Sequence, residues 1–172
     1  MIIYKDTITG DEIVSDSYDI KEAGDGVVYE VNCKMVTVGG ENNFDIGANA
    51  SAEEAEEALE DQAVKVIDIV HNFRLQSTSF DKKSYLPYLK SYMKSVKKAL
   101  QDAGKSEEEV KAFETKAQAY VKDTILPKFK DWEFYTGEST NPDGMVVLLN
   151  YREDGITPYI VIWKHGLKEE KV

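Results

Sequence analysis

Residues 81–127, DKKSYLPYLKSYMKSVKKALQDAGKSEEEVKAFETKAQAYVKDTILP, decide the fold class. Tyr85, Leu89, Tyr92, Met93, Val96 and Leu100 recur at helical spacing and form one apolar stripe. Lys90, Lys94, Lys97 and Lys98 lie largely off it. Gly104 is a C-terminal stop. Ser106-Glu107-Glu108-Glu109 then opens a second helix as a capping box. Val110, Phe113, Ala117, Tyr120 and Val121 carry its stripe until Pro127 ends it. A short link between two facing stripes predicts an antiparallel helical hairpin. Pro87 constrains where the first helix begins. With Ser84 as the N-cap it falls in the first turn, where its missing donor would be unpaired anyway. A start nearer Asp81 requires a kink.

Strands flank this hairpin. Val27, Tyr29, Val31, Cys33 and Met35 alternate with Glu30, Asn32 and Lys34, which predicts a half-buried strand over 27–38, ended by Gly39-Gly40. Residues 64–76, VKVIDIVHNFRLQ, read as a second strand, and Trp132–Thr136 as a short one. Met145–Arg152 and Tyr159–Lys164 are apolar runs joined through Glu153-Asp154-Gly155, where Gly supplies the positive φ of a hairpin turn. With strands on both sides of the helical hairpin, the two element types are segregated along the chain, an α+β pattern.

The chain has 172 residues, enough for one domain without metal or disulfide support. Its single cysteine, Cys33, cannot form an internal disulfide or a Cys-rich zinc site. Net charge is -11, which opposes general nucleic-acid affinity. No run approaches the ~18 apolar residues of a membrane span. The N-terminus lacks a signal peptide's charged start and apolar run, so a cytosolic chain is expected and the Asn49-Ala50-Ser51 sequon goes unused.

Charge is unevenly distributed. Residues 41–61 hold eight acids and no base, while residues 82–105 hold seven lysines and one acid. Each face suits an electrostatic partner and equally suits plain solvation. Like charges four apart, as at Glu53/Glu57 and Glu56/Glu60, oppose helix formation in the acidic stretch. With few apolar anchors, residues 39–63 read as a mobile acidic loop with a marginal helix in its second half. Clustered carboxylates of that kind would bind Ca²⁺ weakly, and no EF-hand pattern is present.

Catalytic patterns are few. There is no phosphate-binding P-loop and no G-x-S-x-G elbow. Cys33 falls on the apolar face of its strand and reads as a buried, inert thiol. His71 shares parity with Ile67, Ile69 and Phe73 and reads as a packed core histidine. No enzyme is expected.

Ile46-Gly47-Ala48-Asn49-Ala50-Ser51-Ala52-Glu53 resembles the first signature of the translationally controlled tumour protein family. Phe134-Tyr135-Thr136-Gly137-Glu138, followed by Asn141-Pro142-Asp143-Gly144-Met145-Val146, resembles the second. Met1-Ile2-Ile3-Tyr4-Lys5-Asp6, Asp11-Glu12, Ser79-Phe80-Asp81-Lys82-Lys83 and Asn150–Tyr159 extend the likeness along the chain, with fungal details.

The resemblance implies a single domain over 1–172: a twisted, mainly antiparallel β tent (1–38, 64–76 and 130–172), the helical hairpin (80–127) and the mobile loop. The same tent occurs in guanine-nucleotide-free chaperones of Rab GTPases. Those carry zinc on cysteine pairs that this chain lacks. The family further implies a monomeric, cytoplasmic, partly cytoskeleton-associated protein of translation and growth signalling. Its implied partners are small GTPases of the Rheb type, elongation factors and the ribosome, tubulin and microtubules, and Ca²⁺. Glu12 and Glu138, in matching motifs, become the candidate GTPase-binding residues, and Lys90, Lys94, Lys97 and Lys98 the candidate tubulin-binding ones. The alternative is a calcium-binding cytoskeletal and stress-response protein that leaves GTPases unmodulated.

Overall fold

The computed structural model describes residues 1–38 and 64–172. The expected mobile loop over 39–63 lies outside the described residues. Strands are β1 (Ile2–Asp6), β2 (Glu12–Ser15), β3 (Ile20–Ala23), β4 (Val28–Asn32), β5 (Met35–Val38), β6 (Val64–Ile67), β7 (Gln76–Thr78), β8 (Glu133–Thr136), β9 (Val147–Tyr151), β10 (Pro158–Trp163) and β11 (Leu167–Lys171). Helices are α1 (Asp68–Asn72), α2 (Lys82–Asp102) and α3 (Glu107–Tyr120). The described strands form a six-stranded sheet, β3-β4-β10-β9-β8-β7, a three-stranded sheet, β11-β1-β2, and a two-stranded ribbon, β5-β6. All pairings are antiparallel. The fold is α+β, as expected from the sequence.

The hairpin packs on this framework through the expected stripes. Tyr85, Leu89, Tyr92 and Val96 of α2 are buried, as are Val110, Phe113, Ala117 and Tyr120 of α3. Tyr85 meets Phe80, Phe129 and Phe134 at centroid distances of 5.7, 5.5 and 5.4 Å, a range in which aromatic rings attract beyond simple burial. At the other end, the His165 ring lies 4.7 Å from Phe113.

Several local expectations are corrected. Helix α2 starts after Asp81, whose carboxylate accepts from the Ser84 amide at 2.8 Å while the Ser84 hydroxyl accepts from the Asp81 amide at 3.1 Å. This reciprocal cap, together with the burial of Tyr85 and Leu89, holds the first turns in spite of Pro87 inside the helix, and the Lys83 carbonyl left without its donor belongs to an exposed residue. Regular α3 stops at Tyr120. The chain continues as a π turn over Val121–Ile125 and a 3₁₀ turn over Leu126–Asp131 that contains Pro127.

Residues 27–38 are two strands rather than one. The Cys33 amide makes a last bond to the Pro158 carbonyl at 2.8 Å, and β5 then leaves to pair with β6. Residues 64–76 are strand, helix and strand. Asp68 accepts from the Lys34 amide at 3.0 Å and from the Ile69 amide at 2.8 Å, turning the chain into α1. Arg74, at φ 56°, turns it out again. His71 is therefore exposed on α1 and is no core residue. Cys33 is buried, as expected, and burial pushes its thiol up to about 12.

The three-stranded sheet is tied to the six-stranded one through Asp6, a buried carboxylate. It accepts from the Met145 amide at 2.7 Å, the Ile8 amide at 2.9 Å and the Thr9 hydroxyl at 3.1 Å. Gly144 passes so close that a Cβ there would sit 2.7 Å from the Asp6 carboxylate and 2.5 Å from Thr9 Cγ2. Tyr88 of α2 completes the joint. Its hydroxyl donates to the Gly144 carbonyl at 2.5 Å and accepts from the Val146 amide at 2.9 Å.

Two measurements test these joints. Asp6→Ala leaves buried amides without an acceptor and should cost about 3 kcal/mol in urea unfolding; a loss under about 0.5 kcal/mol would refute the joint. Burial, then Lys164, Lys105 and Lys116, hold the His165 pKa below its usual 6.5, with Glu22 acting the other way. A value depressed in the folded state means that the unfolded chain binds the proton first, so this contribution is present above about pH 6.5 and is lost as pH falls through the folded value. His165→Phe should therefore lose less stability than wild type between about pH 7 and about pH 5. Equal losses would refute it.

Candidate functional site

Glu12 and Glu138 come together. Glu12 is the first residue of β2, exposed and paired in register with Lys5 of β1. Glu138 follows β8 on the connection to β9 and is also exposed. Both line a polar surface cleft of about 440 Å³, shared with Lys5, Asp11, Asn72 and Arg74. The turn between β1 and β2 is held on one side by Asp6 and on the other by Asp11, which accepts from the Ser139 hydroxyl at 2.6 Å and the Ser139 amide at 3.3 Å. Gly137 is needed for that approach, because a Cβ there would lie 2.6 Å from Asp11 Cβ.

Arg74 is the residue that sequence reading misses. Its guanidinium meets the Glu138 carboxylate at 3.0 Å, so Glu138 already has a cation partner in the free protein. Both side chains are well exposed, which makes the pair weak and exchangeable. Lys5 pairs with Glu170 of β11, and that bond, helped by Glu12, raises its pKa. The cleft thus presents exposed carboxylates on a held backbone beside exchangeable cations, an arrangement suited to ion-pair recognition of a protein surface.

The basic face of α2 is only partly a single site. Lys90, Lys94 and Lys97 line a groove of about 600 Å³ between α2 and α3, whereas Lys98 lies outside its lining. Lys97 is paired with Glu114 of α3 at 3.1 Å. The groove floor is apolar, with Leu89, Met93, Ala117 and Val121, and Lys122 joins the rim. No single-helix pattern signals it, since it exists only once both helices are docked.

Among the described residues, no group of three or more His, Cys, Asp and Glu side chains could hold a metal ion. The acidic stretch assigned weak Ca²⁺ binding lies outside them. No helix among them is long and apolar enough to cross a membrane.

Fold and surfaces together define an α+β protein with a polar, ion-paired cleft at one place on its surface and a basic groove with an apolar floor at another. The chain belongs to the translationally controlled tumour protein family, whose model matches residues 1–168. It is 72% identical to the translationally-controlled tumor protein homolog of Neurospora crassa and 58% identical to that of Saccharomyces cerevisiae, each over the full length of both chains. It is also similar to the solved structure of the translationally controlled tumor-associated protein from Schizosaccharomyces pombe, at 55% identity and a TM-score of 0.81 over all of both chains. The solved Caenorhabditis elegans protein is 30% identical, with a TM-score of 0.73 over 100% of this chain and 99% of that one.

Proposed function

We propose that this protein is a non-enzymatic cytoplasmic adaptor of translation and growth signalling. In this reading it engages a Rheb-type small GTPase through the Glu12/Glu138 cleft and contacts elongation factors and microtubules elsewhere. The observation that carries the reading is the convergence of two carboxylates from distant parts of the chain on one cleft. A GTPase emptied of nucleotide exposes a lysine and a Mg²⁺ site with no phosphate to neutralise them. Carboxylates offered there form charge-assisted bonds and favour the empty state by differential affinity. Glu12 supplies the ready carboxylate. Glu138 becomes available when Arg74 exchanges it for the partner's cation.

Glu12→Val should keep stability within about 0.5 kcal/mol of wild type, because Glu12 is an exposed strand-end residue. It should weaken binding to a nucleotide-depleted Rheb-type GTPase about tenfold or more, the loss expected for one charge-assisted bond. Calorimetric titration decides it, and wild-type affinity in the variant would remove Glu12 from the site.

A microtubule contact is supported by Lys90 and Lys94 standing on one rim with Lys97. Such a contact to the acidic tubulin surface is electrostatic and weakens with salt. Changing Lys90, Lys94, Lys97 and Lys98 together to Glu should abolish co-sedimentation with microtubules while the fold persists. Undiminished co-sedimentation would exclude this face.

A further inference from the structure

The groove between α2 and α3 has a feature that charge alone does not use. Its floor is apolar, and Leu86 at its end is 43% exposed. Around it stand Lys90, Lys94, Lys97 and Lys122 against one carboxylate, Glu114, in a chain of net charge -11. Glu114 is engaged by Lys97, and no carboxylate among the described residues pairs with Lys90, Lys94 or Lys122. One wall is built by Val121 and Lys122, where α3 widens into its π turn.

We infer that this groove docks an acidic amphipathic helix of a partner protein. Leu86 to Lys97 spans eleven residue steps of α2, about 16 Å or three turns, which matches a helix presenting apolar anchors at i, i+4, i+7 and i+11. The anchors enter between Leu86, Leu89 and Met93 on one side and Ala117 and Val121 on the other. Glutamates or aspartates flanking the anchors meet Lys90, Lys94 and Lys122. Apart from Leu86, the apolar groups are recessed between two helices, so inserted side chains reach them and a flat bilayer does not. The occupant is set by both features: a basic amphipathic helix meets like charge on the rim, and a purely acidic coil leaves the floor wet. This goes beyond the microtubule reading, which needs the lysines and not the floor.

The probe is a fluorescein-labelled peptide of about 18 residues with leucines at i, i+4, i+7 and i+11 and glutamates flanking them. It is titrated into the full chain and read by fluorescence anisotropy, beside a scrambled peptide of the same composition. Binding of the patterned peptide at least about tenfold tighter than the scrambled one is expected. Gln118→Trp, at an exposed lining position, should plug the groove and abolish the difference. Leu86→Gln should reduce it, and Lys98→Glu should leave it unchanged. Circular dichroism of each variant verifies folding. Equal binding of both peptides, no binding of either, or wild-type binding by Gln118→Trp and Leu86→Gln would overturn the inference. So would binding to anionic phosphatidylserine vesicles in place of the patterned peptide, or a dimer in sedimentation that Gln118→Trp splits.

Discussion

One buried carboxylate organises much of this molecule. Asp6 ends the first strand and is taken out of water, which is tolerable only because amides and a hydroxyl converge on it. Two of those donors, from Ile8 and Thr9, shape the turn that follows β1. The third, from Met145, belongs to the segment that leads into β9. Two sheets that share no strand pairing are therefore joined through this charged point, with the Asp11–Ser139 bonds as a second tie. Gly144 is a consequence, since no side chain fits beside that carboxylate. Tyr88 is another, because its hydroxyl bridges the neighbouring carbonyl and amide and so brings α2 to the same joint.

The two candidate surfaces depend differently on this arrangement. The cleft around Glu12 lies beside the Asp6 turn, and its second carboxylate rides on the segment that Asp11 clamps through Ser139. Its backbone is thus fixed from two sides while its ion pairs lie in water, where exchange is cheap. The groove belongs to the hairpin. Its rigidity comes from aromatic packing of Tyr85 against Phe129 and Phe134 and from the capped start of α2. A partner at one surface need not disturb the other.

The helical pair was legible because its signal is local. Apolar residues three and four apart specify which face is buried, and the stripe over Tyr85, Leu89, Tyr92 and Val96 is the buried face. The strand readings failed where the turning force is tertiary. Residues 64–76 show no glycine or proline, yet Asp68 and Arg74 bend the chain through a bond to Lys34 and a left-handed backbone. That is also why His71 reads as core and is not, while His165, with no periodic neighbours, packs on Phe113. Gly137 and Gly144 look like turn residues, but their need is close approach to Asp11 and Asp6. Glu12 and Glu138 were found through motif likeness. Arg74 carried no sequence cue, and the groove required two docked helices.

The pairing of β1 with β11 sets a timetable. Ile2–Asp6 lie against Leu167–Lys171 in register, and the Val172 amide donates to the Met1 carbonyl. During synthesis β1 can find β2 at once, but its other edge waits for roughly 160 further residues, roughly ten to thirty seconds at ordinary elongation rates. For that interval the nascent chain carries an open strand edge beside the ribosome, the kind of edge that invites wrong pairing. Lys5, placed on that strand, is the sort of charge that discourages it, and in the closed sheet it is paired with Glu170 of β11.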